Sequence, residues 1–190
     1  VTNIASSLVF EALAEKYGAE VIRTPVGERY LAKEMITLIE KNEKQPFCST
    51  IMGGEGSCGG IMVPDFNNAR DGIFAAAKLI EIMVETGKKI SQLVKQLPKY
   101  YSYRDKVELE GKDVKQIMRE LKEELIQEGE LVNEIGLDLR ITKEKEWFIL
   151  IHPSNTEPVI RILTEAKRAS LARLFCETTT ELVKMIIERL

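Results

Sequence analysis

The sequence predicts two domains: an α/β domain with a mixed sheet and helices, then a small α+β domain with an antiparallel sheet and helices on one face. The chain has 190 residues, and at roughly 150 residues per domain this length suits one large domain or two small ones. Helical and extended patterns alternate in the first half, whereas the second half groups three strands between two helices. The periodic pattern is interrupted between Leu97 and Gly111, which predicts a linker. We therefore place the domains at residues 1–101 and 102–190.

The first domain is predicted from apolar residues that recur at helical or strand spacing. We expect a first helix that ends at Gly18, further helices over residues 28–41 and 68–86, and strands over residues 19–23 and 47–52. Glycine ends helices readily because it adopts the left-handed conformation without steric cost. The helix over residues 68–86 is apolar nearly all round, which is typical of a helix at the centre of a core.

The second domain is predicted from a helix, three strands and a closing helix. Asp113 can cap the first helix, because its carboxylate accepts hydrogen bonds from backbone N–H groups of the first turn. Strands are expected over residues 137–141, 147–151 and 159–163. A long amphipathic helix then closes the chain. Helices grouped around a run of strands favour an α+β layer rather than a second parallel sheet.

Composition excludes several classes of protein. Lys and Arg number 27 and Asp and Glu 30, for a net charge of −3, so neither a nucleic-acid partner nor a membrane-surface patch is expected. No apolar run approaches the ~18 residues of a membrane helix, and no signal-peptide pattern is present. The three cysteines lack metal-site or redox spacing, which favours reduced thiols and a cytoplasmic location. The first residue is Val1 rather than Met, which we interpret as a sign of a fragment.

A glycine-rich segment, Gly53–Gly60, follows the predicted strand over residues 47–52 and carries a carboxylate, a hydroxyl and a thiol. Glycine allows a ligand to approach the backbone closely. The order of residues is not that of a nucleotide-binding loop, and Glu55 would repel phosphate, so a hydroxyl-rich ligand such as a sugar fits better. A flexible turn with an incidental glutamate is the alternative interpretation.

A second segment, His152–Pro158, joins two predicted strands and offers two hydroxyls, an amide and backbone N–H groups. Such a turn can form a concave anion site, and Arg161 or a protonated His152 could add positive charge. A hairpin loop rich in turn-forming residues is the alternative. A third segment, Arg23–Arg29, lies where a strand leads into a helix. It could bind an anion at the helix start, although Glu28 opposes this. A turn with a capping threonine is the favoured alternative.

Together and in this order, these segments resemble the α-D-phosphohexomutases, the family of phosphoglucomutase, phosphomannomutase and phosphoglucosamine mutase. Thr24–Gly27 matches the T-x-V-G motif of the third domain, and Gly53–Ser57 matches the sugar-reading G-G-E-x-S/N motif. Asp71-Gly72 matches the D-G pair that opens the next helix, and Pro153–Arg161 matches the phosphate loop of the fourth domain. The resemblance spans nearly all of the chain.

The resemblance implies that residues 1–101 are a third domain that lacks its N-terminal part, and that residues 102–190 are a fourth domain. The family interconverts hexose 6-phosphate and hexose 1-phosphate through a phosphoserine and a bisphosphate intermediate. The implied sugar-binding residues are Gly27, Gly54, Glu55 and Ser57. The implied phosphate-binding residues are Ser154, Asn155, Thr156, His152 and Arg161.

The chain departs from the family pattern at three places. His152 stands where the family has an arginine, which weakens the positive charge near neutral pH. Pro25 replaces a lysine found in several members, and Cys58-Gly59 replaces a common Gly-His pair. Glycine-rich versions of this loop favour phosphoglucosamine or phosphomannose substrates.

No segment resembles the family's phosphoserine loop or its carboxylate-rich metal loop. We therefore expect no catalytic residue and no metal ligand in this chain, while Mg²⁺ and a hexose 1,6-bisphosphate are implied for the complete enzyme. The implied partners are a phosphorylated hexose and the missing N-terminal domains, in the same or another chain. The alternative is a non-catalytic module that binds phosphosugars.

Overall fold

The computed structural model describes residues 1–42, 50–55 and 60–190. The chain divides into two units, Val1–Pro98 and Lys99–Leu190. The sequence placed this division slightly later, after Tyr101.

Unit 1 contains short strands in two ladders. Strands β1 (Thr2–Asn3) and β2 (Arg23–Thr24) pair in parallel. Strands β3 (Gly53–Gly54), β4 (Ile61–Val63) and β5 (Asn67–Asp71) pair antiparallel in that order. The expected strand over residues 19–23 is thus reduced to β2. Of the strand expected over residues 47–52, residues 50–52 are not in a strand and β3 begins one residue later, while residues 47–49 lie outside the described part of the chain.

Backbone hydrogen bonds also join the two ladders. The Val1 amino group donates to the Met52 carbonyl at 2.8 Å, and the Gly54 N–H donates to the Val1 carbonyl at 3.2 Å. β1 therefore lies between β2 and β3. Parallel and antiparallel pairings occur side by side, as expected for a mixed α/β domain.

The three predicted helices of unit 1 begin and end close to their predicted positions, with one exception, and a fourth, short helix was not predicted. The helices are α1 (Val9–Tyr17), α2 (Glu28–Asn42), α3 (Gly72–Thr86) and α4 (Ile90–Val94). Gly18 ends α1 in the left-handed conformation with φ 64°. The exception is α3, which was expected to begin at Asn68. Residues 67–71 form β5 instead, and the Asp71 side chain caps the helix by accepting a hydrogen bond from Phe74 N–H at 2.8 Å.

The expectation that α3 is central to a core is wrong for the described part of the chain. No residue of α3 is buried, and Ile73 and Val84 are 87% and 77% exposed. A helix that is apolar all round is buried only where other elements pack against several of its sides. In the described part of the chain, α3 has β4 as a neighbouring element on one side. The buried apolar cluster of unit 1 is formed by Leu31, Met35 and Met62.

Gly60 lies where a side chain would be strained in two ways. Its φ is +103°, and an added Cβ would lie 3.1–3.2 Å from backbone atoms of Asp71 and Gly72. We expect Gly60→Ala to lower the free energy of unfolding of unit 1 by about 1–3 kcal/mol. Gly72→Ala is the matched control, because nothing lies within 4 Å of its added Cβ and alanine favours the helix that it begins. Amide hydrogen exchange measures both; equal protection of β4 and β5 in the two variants would contradict the prediction.

Unit 2 is built on one antiparallel sheet of five strands in the order β6-β10-β9-β8-β7. The strands are β6 (Tyr101–Glu108), β7 (Val132–Ile135), β8 (Asp138–Lys143), β9 (Trp147–Pro153) and β10 (Val159–Ala166). The three central strands were expected. The two edge strands were not, and the predicted linker between Leu97 and Gly111 is largely β6.

Two helices, α5 (Val114–Gln127) and α6 (Ala169–Arg189), pack on one face of this sheet. Asp113 caps α5 as expected, accepting a hydrogen bond from Lys115 N–H at 3.0 Å. Alternate residues of each central strand, including Ile141, Ile149 and Ile162, share one buried cluster with both helices. The small α+β architecture is therefore confirmed.

No helix in the described ranges is both long and apolar enough to cross a membrane. Cys176 is a buried free thiol, and burial raises its pKa. Cys48 and Cys58 lie outside the described residues.

Candidate functional site

The loop between β9 and β10 closes around one hydroxyl oxygen. Ser154 Oγ accepts hydrogen bonds from the N–H groups of Thr156, at 3.3 Å, and Glu157, at 3.2 Å. The Ser154 N–H donates to the Val159 carbonyl at 2.9 Å, which closes the base of the loop. Two backbone N–H groups thus converge on one acceptor, the geometry that binds anions when an anion oxygen takes that place. Asn155 lies at the exposed tip.

An arginine and a histidine flank this loop on adjacent strands. Arg161 of β10 pairs in register with His152 of β9, and directly opposed residues of antiparallel strands project from the same face. Arg161 Nη2 lies 3.4 Å from Glu157 Oε2, and both side chains are about half exposed. Such an exposed ion pair contributes only about 0–1 kcal/mol, so a phosphate group can compete with Glu157 for the guanidinium.

His152 has a carboxylate partner that the sequence did not indicate. Its Nδ1 lies 2.6 Å from Asp138 Oδ1, and both side chains are largely buried. Asp138 begins β8, the strand next to β9, so strand pairing brings together two residues that lie 14 positions apart.

Part of the glycine-rich loop lies in the described part of unit 1. Glu55 follows β3 with its side chain only 7% exposed, and Arg70 Nη1 lies 3.6 Å from its Oε2. Ser57, expected to bind sugar, lies outside the described residues, as do Gly56, Cys58 and Gly59. The structure therefore places Glu55 beside a cation and leaves Ser57 as a prediction.

Arg70 also binds Glu28, at the start of α2. Its backbone N–H donates to Glu28 Oε1 at 3.0 Å, and its guanidinium contacts Oε2 at 3.0 and 3.1 Å. The hydrogen bond from the Arg70 backbone N–H, together with those from its side chain, lowers the pKa of Glu28. One arginine on β5 thus joins the Gly53–Gly60 loop to the Arg23–Arg29 segment. Sequence reasoning missed it because nothing local marks Arg70.

The two predicted glycines have backbone roles. Gly27 has φ 129° directly before α2, a conformation that favours glycine, and its carbonyl accepts from Tyr30 N–H at 3.0 Å. The Gly54 carbonyl accepts from Thr2 Oγ1 at 2.7 Å, while its N–H binds Val1. The two Gly54 bonds fix the path of the chain that leads to Glu55. A contact of Gly27 or Gly54 with a sugar remains a prediction.

The described residues contain no group of three or more His, Cys, Asp or Glu side chains that could hold a metal ion. The Glu28 and Glu55 carboxylates both contact the Arg70 guanidinium, which occupies the place that a cation would take between them. These side chains therefore do not fit Mg²⁺, and we derive no chemical step through it.

An α/β unit with a glycine-rich loop after β3, followed by an antiparallel α+β unit with a hydroxyl-rich loop between β9 and β10, corresponds to a C-terminal portion of the phosphohexomutases. The family model described as "Phosphoglucomutase/phosphomannomutase, alpha/beta/alpha domain III" matches residues 1–101. The chain belongs to the phosphoglucomutase/phosphomannomutase family, which confirms the resemblance drawn from its motifs.

Curated relatives extend the match over both units. The chain is 37% identical over 184 residues to a phosphoglucomutase/phosphomannomutase of Thermococcus kodakarensis, covering 97% of this chain and 37% of the relative. It is 34% identical over 190 residues to a probable phosphoglucosamine mutase of Pyrococcus furiosus, covering 100% of this chain and 39% of the relative. The chain thus spans well under half the length of these relatives.

Solved structures support the same fold. A phosphoglucomutase/phosphomannomutase family protein of Burkholderia thailandensis matches with a TM-score of 0.71 and 19% identity, over 97% of this chain and 37% of that chain. The open form of a Paramecium phosphoglucomutase, parafusin, matches with a TM-score of 0.68 and 17% identity, over 98% of this chain and 37% of that chain.

Proposed function

We propose that this chain is the substrate-binding portion of a phosphohexomutase that interconverts hexose 6-phosphate and hexose 1-phosphate. In this proposal unit 1 reads the sugar hydroxyls and unit 2 holds the phosphate that is not being transferred. The substrate is a phosphorylated glucose, mannose or glucosamine, and the location is the cytoplasm.

The observation that carries the proposal is the loop between β9 and β10. Its N–H groups at Thr156 and Glu157 already converge on an oxygen atom, Ser154 Oγ. A phosphate oxygen can replace Ser154 Oγ as the acceptor of these donors with little rearrangement, and preorganised donors lower the ordering cost of binding. The hydroxyls of Ser154 and Thr156 and the cation of Arg161 complete the proposed set, with the Asn155 amide at the tip.

Glu55 supports the sugar-binding half of the proposal. A carboxylate accepts hydrogen bonds from sugar hydroxyls, and the contact with Arg70 orients it. In this proposal the Gly54 backbone and the Ser57 hydroxyl add further contacts to the sugar. Because a carboxylate repels phosphate, Glu55 fits a hydroxyl-bearing part of the substrate rather than its phosphate.

Turnover requires a phosphoserine and Mg²⁺, which neutralises the charge on the phosphoryl group in transfer. We propose that both come from the domains that precede this portion in the family, in the same or another chain, and that a hexose 1,6-bisphosphate starts the cycle. The residues of this chain bind and orient substrate.

Calorimetric titration with glucose 6-phosphate, mannose 6-phosphate and glucosamine 6-phosphate tests binding. We expect each to bind more tightly than the free sugar, and Ser154→Ala to weaken binding about tenfold, the effect of one lost hydrogen bond. Ser102→Ala is the matched control, since it removes an exposed hydroxyl from β6 of the same unit. Equal affinity for sugar and sugar phosphate would contradict the proposal.

A mutase assay separates the enzyme from a non-catalytic module. The chain is mixed with a polypeptide that covers the preceding family domains, Mg²⁺ and a hexose 1,6-bisphosphate. Conversion of the 6-phosphate to the 1-phosphate is expected. Binding without conversion by a folded complex would favour the phosphosugar-binding module instead.

A further inference from the structure

We infer that Asp138 positions His152 so that the His152 ring gains a proton when an anion binds at the loop between β9 and β10. The inference rests on the proposed function, because it concerns the same loop, but it assigns a role to Asp138 and a property to the site that an arginine at position 152 would not produce.

The first step is the identity of the shared hydrogen atom. His152 Nδ1 and Asp138 Oδ1 are 2.6 Å apart, and an ionised carboxylate only accepts hydrogen bonds. The hydrogen therefore resides on Nδ1. A carboxylate bound to one ring nitrogen selects the tautomer of the neutral imidazole.

The second step concerns the other ring nitrogen. In a neutral ring with its hydrogen on Nδ1, Nε2 presents a lone pair, which repels an anion. In the protonated ring Nε2 also carries a hydrogen and becomes a charged donor. With Asp138 in place, His152 can therefore donate to a phosphate oxygen only after it has gained a proton.

Charged groups face His152 from both strands next to β9. From β8 the facing group is Asp138, with Arg140 two positions along the same face and its guanidinium over the Phe148 ring. From β10 it is Arg161, which pairs with Glu157 of the loop. Arg161 stays charged at every pH of interest. Of these groups, histidine is the one whose protonation ordinarily changes near neutral pH.

The test uses a hexose 6-sulfate as well as the 6-phosphate, because a phosphate monoester itself gains charge near pH 6 whereas the charge of a sulfate ester is constant above pH 5. Calorimetry from pH 5.5 to 8.5, in buffers of different ionisation enthalpy, measures the affinity and the protons taken up. We expect sulfate-ester affinity to fall about 10- to 100-fold across this range, the effect of losing one charge-assisted hydrogen bond. His152→Arg should bind with no such dependence.

Asp138→Asn tests the positioning role. The asparagine amide can donate to Nδ1, which allows the neutral ring to carry its hydrogen on Nε2. We expect this variant to retain affinity at pH 8.5 and to lose most of the pH dependence. The double variant Asp138→Asn/His152→Gln is the control for removal of a negative charge alone: it should show no gain at pH 8.5 over His152→Gln.

Nitrogen-15 NMR of the imidazole provides a second measurement, and it is unambiguous because the chain has one histidine. The neutral ring should carry its hydrogen on Nδ1 in the wild type and on Nε2 in Asp138→Asn. Sulfate-ester affinity that does not change with pH, or the same tautomer in both proteins, would overturn the inference and leave the proposed function standing. Failure to bind either ester at any pH would overturn both.

Discussion

Ile151→Ala should lower the free energy of unfolding of unit 2 by about 4 kcal/mol, within the range for removing a large aliphatic side chain from a filled core. Ile151 is 0% exposed, lies between Leu139 of β8 and Ile162 of β10 in register, and belongs to the cluster shared with both helices. Truncation leaves a cavity bounded by β8, β10 and the helices, and paired strands cannot move together to close it. The loop between β9 and β10, which we propose to bind phosphate, follows directly at the end of the strand that holds Ile151, so binding should be lost with the fold.

Urea unfolding followed by tryptophan fluorescence measures this change. Trp147 is the single tryptophan and lies on β9, against Phe175 of α6 at 4.7 Å between ring centroids, so its signal reports unit 2. Leu131→Ala is the control, because this leucine is 89% exposed and should change stability by no more than about 0.5 kcal/mol. Similar midpoints for the two variants would show that Ile151 is not part of a packed core.

Arg23→Ala should lower the free energy of unfolding of unit 1 by about 3 kcal/mol, because it removes the guanidinium hydrogen bonds to one carboxylate and three backbone carbonyls. The Arg23 guanidinium contacts both oxygens of Glu11, at 2.6 and 2.8 Å. It also donates to the carbonyls of Asn3, Ser6 and Ser7 at 2.7–3.0 Å. The Arg23 side chain thus joins β2 to the start of α1, at the first residue of the Arg23–Arg29 segment.

Hydrogen exchange of peptides from residues 1–42 measures the effect on unit 1. Arg23→Lys should recover only part of the loss, because an ammonium group cannot reproduce the planar array of donors. Arg173→Ala is the control: its ion pair with Glu177 is about two-thirds exposed, where such pairs contribute little. Equal protection in Arg23→Ala and the wild type would refute this account of the segment.

The accuracy of the fold prediction follows the position of each strand in its sheet. The three central strands of unit 2 were predicted because each has a neighbour on both sides and buries consecutive residues, as in Phe148–Ile151, which produces a clear apolar run. The edge strands were missed because they lack it: β6 has one buried residue, Val107, and the middle of β7 is exposed. Charged side chains at sheet edges discourage pairing with other chains, so the same property that protects these edges hides them in the sequence.

The candidate site divides in a similar way. Turn-forming and hydroxyl residues next to one another, as in Ser154–Thr156, can be identified from the sequence because they act within one loop. Arg70 and Asp138 could not, because each meets its partner only after distant segments pair. Asp138 meets His152 only when β8 pairs with β9, and Arg70 lies 42 positions from Glu28 in the sequence. The partners that orient the predicted residues are therefore what the structure adds.

The proposal that unit 2 holds the substrate phosphate is tested most directly by mapping the backbone amides by NMR during titration with glucose 6-phosphate. We predict that the largest shifts occur at the N–H groups of Thr156 and Glu157, which leave Ser154 Oγ for a phosphate oxygen, and that glucose alone causes none there. Unchanged loop amides at a concentration of glucose 6-phosphate that shifts other residues would contradict the account.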